Sequence, residues 1–162
     1  NNILHMTIAP AEVSEDVAKE AHELALRLAQ GFELAGILAI ELFVTKDERV
    51  IVNELAPRPH NSGHYTIEAC SFDQFDAHIR GIAGWPLEQP ELLKPAVMVN
   101  VLGQHVAPTR ALIAEHPEWN MHDYCKAEVR HDRKMGHITV LTDDTRQTVA
   151  DLERTGCWDD LK

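Results

Sequence analysis

The segment from Gly36 to Thr66, "GILAIELFVTKDERVIVNELAPRPHNSGHYT", constrains the fold more than any other. Within it "GILAIELFV" and "RVIVNEL" are short, apolar and rich in β-formers, and the polar "TKDE" separates them. Two such runs joined by four polar residues predict an antiparallel hairpin with a buried face. The chain cannot then continue as an interior strand, because Pro57 and Pro59 each fix φ and remove a backbone donor. "NELAPRPHNSGHYT" is therefore a stiff, polar turn leaving the hairpin. Stiffness lowers the ordering cost of presenting Arg58, His60 and Asn61, while Gly63 permits a close approach that a side chain would block.

Two glutamates on the hairpin carry the next step. Glu41 has apolar neighbours in "LAIELFV", and Glu54 closes "VIVNEL". A carboxylate in such company is costly unless it is paired or coordinates a metal. Two of them across one hairpin repel unless a cation lies between. Oxygen ligands with Asn53 alongside suit Mg²⁺, which takes one or two carboxylates plus substrate phosphates. The plainer alternative puts each glutamate on an exposed strand face. Arg58 offers a planar fork for a carboxylate, carbonate or phosphate, and His60 and Asn61 add neutral donors suited to a small planar anion. Against this stands a surface pairing of Arg58 and a solvent-facing His60. A second basic cluster, "YCKAEVRHDRKMGH", gathers Lys126, Arg130, Arg133 and Lys134 in an acidic chain, which suits a phosphate monoester unless it is only a solvated charge run.

Composition closes off other classes. A formal net charge of -11 argues against a general nucleic-acid or anionic-membrane binder. No apolar run is long enough for a transmembrane helix, and "NNILHMTIAPAEV" lacks the features of a signal peptide. Cys70, Cys125 and Cys157 are an odd, widely spaced set, which reads as reduced thiols in a cytosolic protein. Ten histidines raise a zinc site, but their spacing supplies none, and no Walker or dinucleotide glycine loop occurs.

Elsewhere, "SEDVAKEAHELALRLAQGFELAG" repeats apolar residues at helical spacing, with Ser14 as N-cap and Gly31 or Gly36 as terminator. "SFDQFDAHIRGIAG" places Phe72, Phe75, Ile79 and Ile82 on one helical stripe, and "WPLEQPELLKP" is the best linker. "AVMVNVLG" and "HITVLTD" read as strands, "DTRQTVADLERTG" as a closing helix, and "APTRALIAEHPEWNMHDYCK" as a short helical piece in irregular chain. A length of 162 residues fits one medium domain or a lobe with a small appendage. The expected class is α+β: a mostly antiparallel sheet with helices over residues 1–85, then a small β-rich domain over residues 86–162.

These residues carry a family resemblance. A glutamate on one strand and Asn-Glu closing the next resemble the magnesium site in the C-terminal lobe of ATP-grasp enzymes. "NELAPRPHNSGHYT", with "NNILHMTIAPA" before it and "RKMGHITVL" after it, resembles the C-terminal part of the N5-carboxyaminoimidazole ribonucleotide synthetases of purine biosynthesis. The resemblance implies an ATP-dependent ligase that makes carboxyphosphate from bicarbonate and carboxylates 5-aminoimidazole ribonucleotide. It implies that Glu41 and Glu54 bind Mg²⁺ at the ATP phosphates beside Asn53. It further implies that Arg58, His60 and Asn61 form the bicarbonate pocket and that Lys126 and Arg133 hold the ribonucleotide phosphate. Family members commonly dimerise, so a cytoplasmic homodimer is expected. Many relatives have Tyr-Gly-Lys where this chain has Tyr124-Cys125-Lys126, which puts the backbone of that loop in question. The chain opens like the interior of something longer, and the ATP-binding lysines of the family lie upstream of Asn1. Alone it is expected not to turn over ATP. The alternatives are a non-catalytic anion-binding or interaction fragment and a sister purine-pathway ATP-grasp carboxylase or formyltransferase.

Overall fold

A computed structural model describes residues 3–159. Contacts divide the chain into two compact units, one formed by residues 3–10, 65–71 and 92–159, the other by residues 11–64 and 72–91.

The first unit is built on a four-stranded antiparallel sheet in the order β1-β4-β6-β5, from β1 (Met6–Ala9), β4 (Ala96–Leu102), β5 (Asn120–Asp123) and β6 (Lys134–Leu141). Every residue of β4 is buried, Asn100 included, as befits a mostly apolar central strand covered on both faces. Strand alternation sends Val97, Val99 and Val101 to one face, where they join Ile138, Val140, Trp119, Leu152 and Trp158 in the core. The Trp158 indole N–H donates to the Asn100 carbonyl at 2.9 Å, giving the buried ring its polar partner. The opposite face is different. Its register lines up Asn100, His137 and His122 across β4, β6 and β5. α2 (Thr66–Ala69) and β6 are in contact. α4 (Val106–Leu112) and α5 (Thr145–Arg154) complete the unit. Asn120–Asp123 is a strand where the sequence reads as irregular chain, because its polar pattern is outweighed by full pairing with β6.

The second unit holds α1 (Glu15–Gly31), the hairpin β2 (Ala39–Val44) and β3 (Val50–Ala56), and α3 (Gln74–Ala83). Ser14 caps α1 by accepting from the Val17 amide at 3.4 Å. Gly31 is the last helical residue, but the left-handed position after it is taken by Glu33, at φ 48°. The two apolar strands pair antiparallel as expected. Their burial is only partial: Phe43, Val44, Ile51, Val52 and Leu55 are exposed. Within this unit α1 is the helix in contact with both strands, and one helix cannot cover two faces. Phe75, Ile79 and Ile82 on α3 are likewise exposed. An N-cap by Asp73, whose Oδ1 accepts from the Phe75 and Asp76 amides, fixes where α3 begins.

Among the described residues no helix is long and apolar enough to cross a membrane, and the three cysteines are free thiols.

Candidate active site

The hairpin of the second unit pairs Glu41 directly with Glu54, then shifts register so that Leu42 faces Val52. Asn53 is the extra residue of that bulge. In a regular ladder Asn53 would point away from the face that Glu41 and Glu54 share; the bulge turns it back. Its Nδ2 donates to Glu41 Oε2 at 3.1 Å. The other oxygen, Oε1, lies 3.8 Å from His60 Nε2. Among the described residues no three or more His, Cys, Asp or Glu side chains gather as a metal site on their own. Two carboxylates and an amide match the hard-oxygen donor set of Mg²⁺, which completes its shell with waters and phosphates.

The turn beyond β3 is held from within. The Arg58 amide donates to the Ala56 carbonyl at 2.8 Å across Pro57, and Arg58 Nη1 donates to the Pro59 carbonyl at 3.0 Å. His60 caps a short 3₁₀ turn, Asn61–Gly63, by accepting the Ser62 amide at Nδ1. With Nδ1 an acceptor, the ring proton of neutral His60 sits on Nε2, facing Glu41. Asn61 begins the 3₁₀ turn, and its carbonyl accepts from the His64 amide at 3.2 Å.

Sequence reasoning missed the residue that holds this turn. Gln74, buried at 7% exposure, accepts from the His60 amide at 2.9 Å and donates back to the His60 carbonyl at 2.9 Å. Its Nε2 also lies 2.8 Å from His64 Nδ1. The side-chain amide thus replaces the neighbouring strand that a proline-flanked segment cannot have. Gly63 makes room for it, since a Cβ there would sit 2.6 Å from Gln74 Oε1. No local signal marks this role: Gln74 sits immediately after a strong N-cap, ten residues beyond the "HNSGH" segment that it clamps.

The remaining predicted pair lies in the first unit, in the loop joining β5 to β6. Lys126 donates from Nζ to the Lys134 carbonyl at 2.7 Å, and Arg133 donates from Nη1 to the Glu128 carbonyl at 3.2 Å. Among the described residues neither cation pairs with a carboxylate, whereas Arg130 is taken up by Glu128. The loop is anchored at both ends by left-handed residues, Cys125 at φ 50° and Asp132 at φ 59°. Cys125 therefore keeps a backbone that glycine would adopt without strain, and the side chain does not rebuild the loop. Asp123 Oδ1 accepts the Cys125 amide at 2.8 Å; that bond, with the Arg110 guanidinium, holds the Asp123 carboxyl below its ordinary range. A second glutamine works here. Gln104 accepts from the Asp132 amide at 2.9 Å and donates to Asp132 Oδ1 at 3.1 Å.

The ATP-grasp domain family matches residues 1–75, and the phosphoribosylaminoimidazole carboxylase C-terminal domain family matches residues 96–151. The N5-carboxyaminoimidazole ribonucleotide synthase of Staphylococcus saprophyticus is 46% identical over 149 residues, which cover 91% of this chain and 40% of that protein. The solved structure of the Staphylococcus aureus synthetase complexed with ADP superposes with a TM-score of 0.90 at 46% identity, covering 96% of this chain and 42% of that one. The Aspergillus clavatus synthase, solved with ADP and 5-aminoimidazole ribonucleotide, gives a TM-score of 0.87 at 33% identity over 96% of this chain and 43% of that one. The chain spans about two fifths of the length of the curated relatives it matches. Through the C-terminal lobe of an ATP-grasp domain and the C-terminal domain that follows it, the chain matches the C-terminal part of the N5-carboxyaminoimidazole ribonucleotide synthetases.

Proposed function

We propose that this chain supplies the metal, bicarbonate and nucleotide-phosphate ligands of an ATP-dependent ligase that carboxylates 5-aminoimidazole ribonucleotide in purine biosynthesis. ATP transfers its terminal phosphoryl group to bicarbonate, giving carboxyphosphate and ADP. Carboxyphosphate then releases phosphate as its carbon passes to the amine of the ribonucleotide. The observation that carries this reading is the environment of Glu41, fixed by the Asn53 amide on one side and faced by His60 of the proline turn on the other. A carboxylate suited to metal and a turn suited to an anion thereby meet in one corner of a single unit.

Each residue has a task in this reading. Glu41 and Glu54 would hold Mg²⁺, with Asn53 orienting Glu41; the metal, when bound, offsets phosphate charge. Arg58 keeps one edge of its guanidinium on the Pro59 carbonyl and offers the rest to the planar anion. His60 donates from Nε2, and Asn61 contributes its amide. Lys126 and Arg133 take the phosphate of the ribonucleotide, consistent with cations left without carboxylate partners. Catalysis is then positioning and electrostatics, with no covalent work by side chains. Residues 1–85 form the ATP-grasp lobe and residues 86–162 the small C-terminal domain in this reading, which also includes a cytoplasmic location and a homodimer.

The test is an NMR titration of the chain with Mg²⁺, bicarbonate and formate in turn. Mg²⁺ is expected to move Glu41, Asn53 and Glu54 resonances, and E41Q to abolish the response. Bicarbonate at millimolar concentration is expected to move Arg58, His60 and Asn61. A response to formate but not bicarbonate would instead favour a formate-using relative.

A further inference from the structure

The polar face of the four-stranded sheet holds groups that the proposed reaction does not use. His137 is 2% exposed, and its ring stacks on His122 with centroids 4.5 Å apart and planes at 10°. His122 donates from Nε2 to Glu68 Oε1 at 2.5 Å, while the Glu68 Oε2 atom is buried without a hydrogen-bond partner among the described residues. On its other side His137 Nδ1 shares a hydrogen bond of 2.9 Å with the Tyr124 hydroxyl. The Lys126 ammonium lies 5.4 Å from the centroid of the Tyr124 ring. A continuous line therefore runs from Glu68 through two stacked imidazoles to Tyr124 and ends at Lys126.

Placing two imidazoles, a carboxylate and a phenol on one sheet face, with His137 buried and Glu68, His122 and Tyr124 half-buried, costs more than an apolar layer of the same volume. Such a layer confers direction rather than stability: hydrogen bonds and ring stacking leave Tyr124 one orientation, where packing alone leaves several. A lysine has four rotatable bonds and a compact charge, so without guidance it samples a wide arc. Here one N–H is fixed on the Lys134 carbonyl and the ammonium rests by an aromatic face, leaving the remaining N–H groups for a ligand.

We propose that Tyr124 is a positioning residue for the ammonium of Lys126, and that Glu68, His122 and His137 form the anchor that fixes Tyr124. The proposal rests on the reading of Lys126 as a phosphate ligand, and it identifies what prepares that ligand before substrate arrives.

The experiment titrates inorganic phosphate into the chain and its variants, with the dissociation constant, the melting temperature and the ¹⁵N resonances of His122 and His137 as readouts. K126M tests the underlying reading: it is expected to lose phosphate binding, and unchanged binding overturns that reading. Y124L removes the aromatic face, and its dissociation constant is expected to rise about 5-fold. Y124F keeps the ring and loses only the hydroxyl; it is expected to weaken binding by about 2-fold and to move the His137 Nδ1 resonance. E68Q is expected to move the His122 resonances and weaken binding in the same sense. Should K126M lose binding while Y124L, Y124F and E68Q all bind as the unaltered chain does, the positioning proposal falls and the reading of Lys126 stands. A lowered melting temperature in Y124F with unaltered binding and an unmoved His137 resonance also overturns it, since that is the signature of packing alone.

Discussion

The two candidate anion loops solve one problem by opposite means. The turn at residues 57–63 is stiffened covalently: two prolines set its backbone, and no residue in it has positive φ. The loop at residues 124–133 has no proline, and its shape depends on two left-handed non-glycine residues, Cys125 and Asp132, held by hydrogen bonds from outside. Both nevertheless use a glutamine amide as a two-point clamp, Gln74 on His60 and Gln104 on Asp132. A loop that prolines have bent needs the clamp only to supply missing backbone partners. A loop bent by strained residues needs it to keep the strain in place. The first should therefore fail by losing hydrogen bonds, and the second should improve when strain is removed.

The largest effect should come from the first clamp. Gln74→Leu leaves the His60 amide without a partner and takes one of two donors from the His60 carbonyl, which keeps the Gly63 amide at 3.0 Å; an unsatisfied amide and a lost hydrogen bond together cost about 3 kcal/mol. Urea denaturation should show the loss, and amide exchange at His60 should quicken before exchange in the four-stranded sheet. A substitution at Gln74 that left His60 as protected as before would remove the contrast between the loops. Gly63→Ala should act through the same clamp. Its new Cβ meets Gln74 Oε1 at 2.6 Å, and displacing that buried amide should cost about 2 kcal/mol. If the cost is instead within error, the glutamine is mobile and the clamp is weaker than the geometry indicates.

These clamps also mark where the sequence was legible. The hairpin could be read because apolar runs and a polar link are local facts, and the turn because proline announces its backbone. Arg58, His60 and Asn61 were candidates because of the turn, and Glu41 and Glu54 because of the cost of carboxylates on an apolar strand, a cost that the exposed Glu54 does not incur. Gln74 and Gln104 could not be read: each acts on a residue 14 or 28 positions away, and a glutamine carries no periodic signal of that contact. The joining of β1 to β4, some 90 residues apart, was hidden for the same reason. The bulge at Asn53 was equally invisible, although it alone brings that amide to Glu41. Local chemistry showed in the sequence, whereas the supports supplied by distant elements did not.

On the strained side, Cys125→Gly should raise stability. Relief of a left-handed non-glycine residue is worth about 1 kcal/mol after the extra freedom of glycine in the unfolded chain is set against it. The midpoint of urea denaturation should move upward with its slope unchanged. A fall would mean that the Cys125 Sγ contact with the Asp123 carbonyl, at 3.6 Å, contributes more than the backbone strain removes.

The smallest effect concerns the group that holds Cys125 in place. The Asp123 carboxylate accepts the Cys125 amide and pairs with Arg110, and both contacts favour its ionised form and lower its pKa in the folded chain. A carboxyl with a depressed folded pKa contributes stability that is complete above its unfolded value, about 3.9, and is lost as pH falls through the folded value. Because Asp123 is exposed, solvent screens the contribution to roughly a few tenths of a kcal/mol. Asp123→Asn should leave stability at pH 7 slightly reduced and should flatten its decline below pH 4. In Cys125→Gly the amide remains, so the acid decline should persist although the strain is gone. Loss of the pH dependence in that variant would show that Asp123 answers to the cysteine side chain rather than to the backbone it was placed to hold.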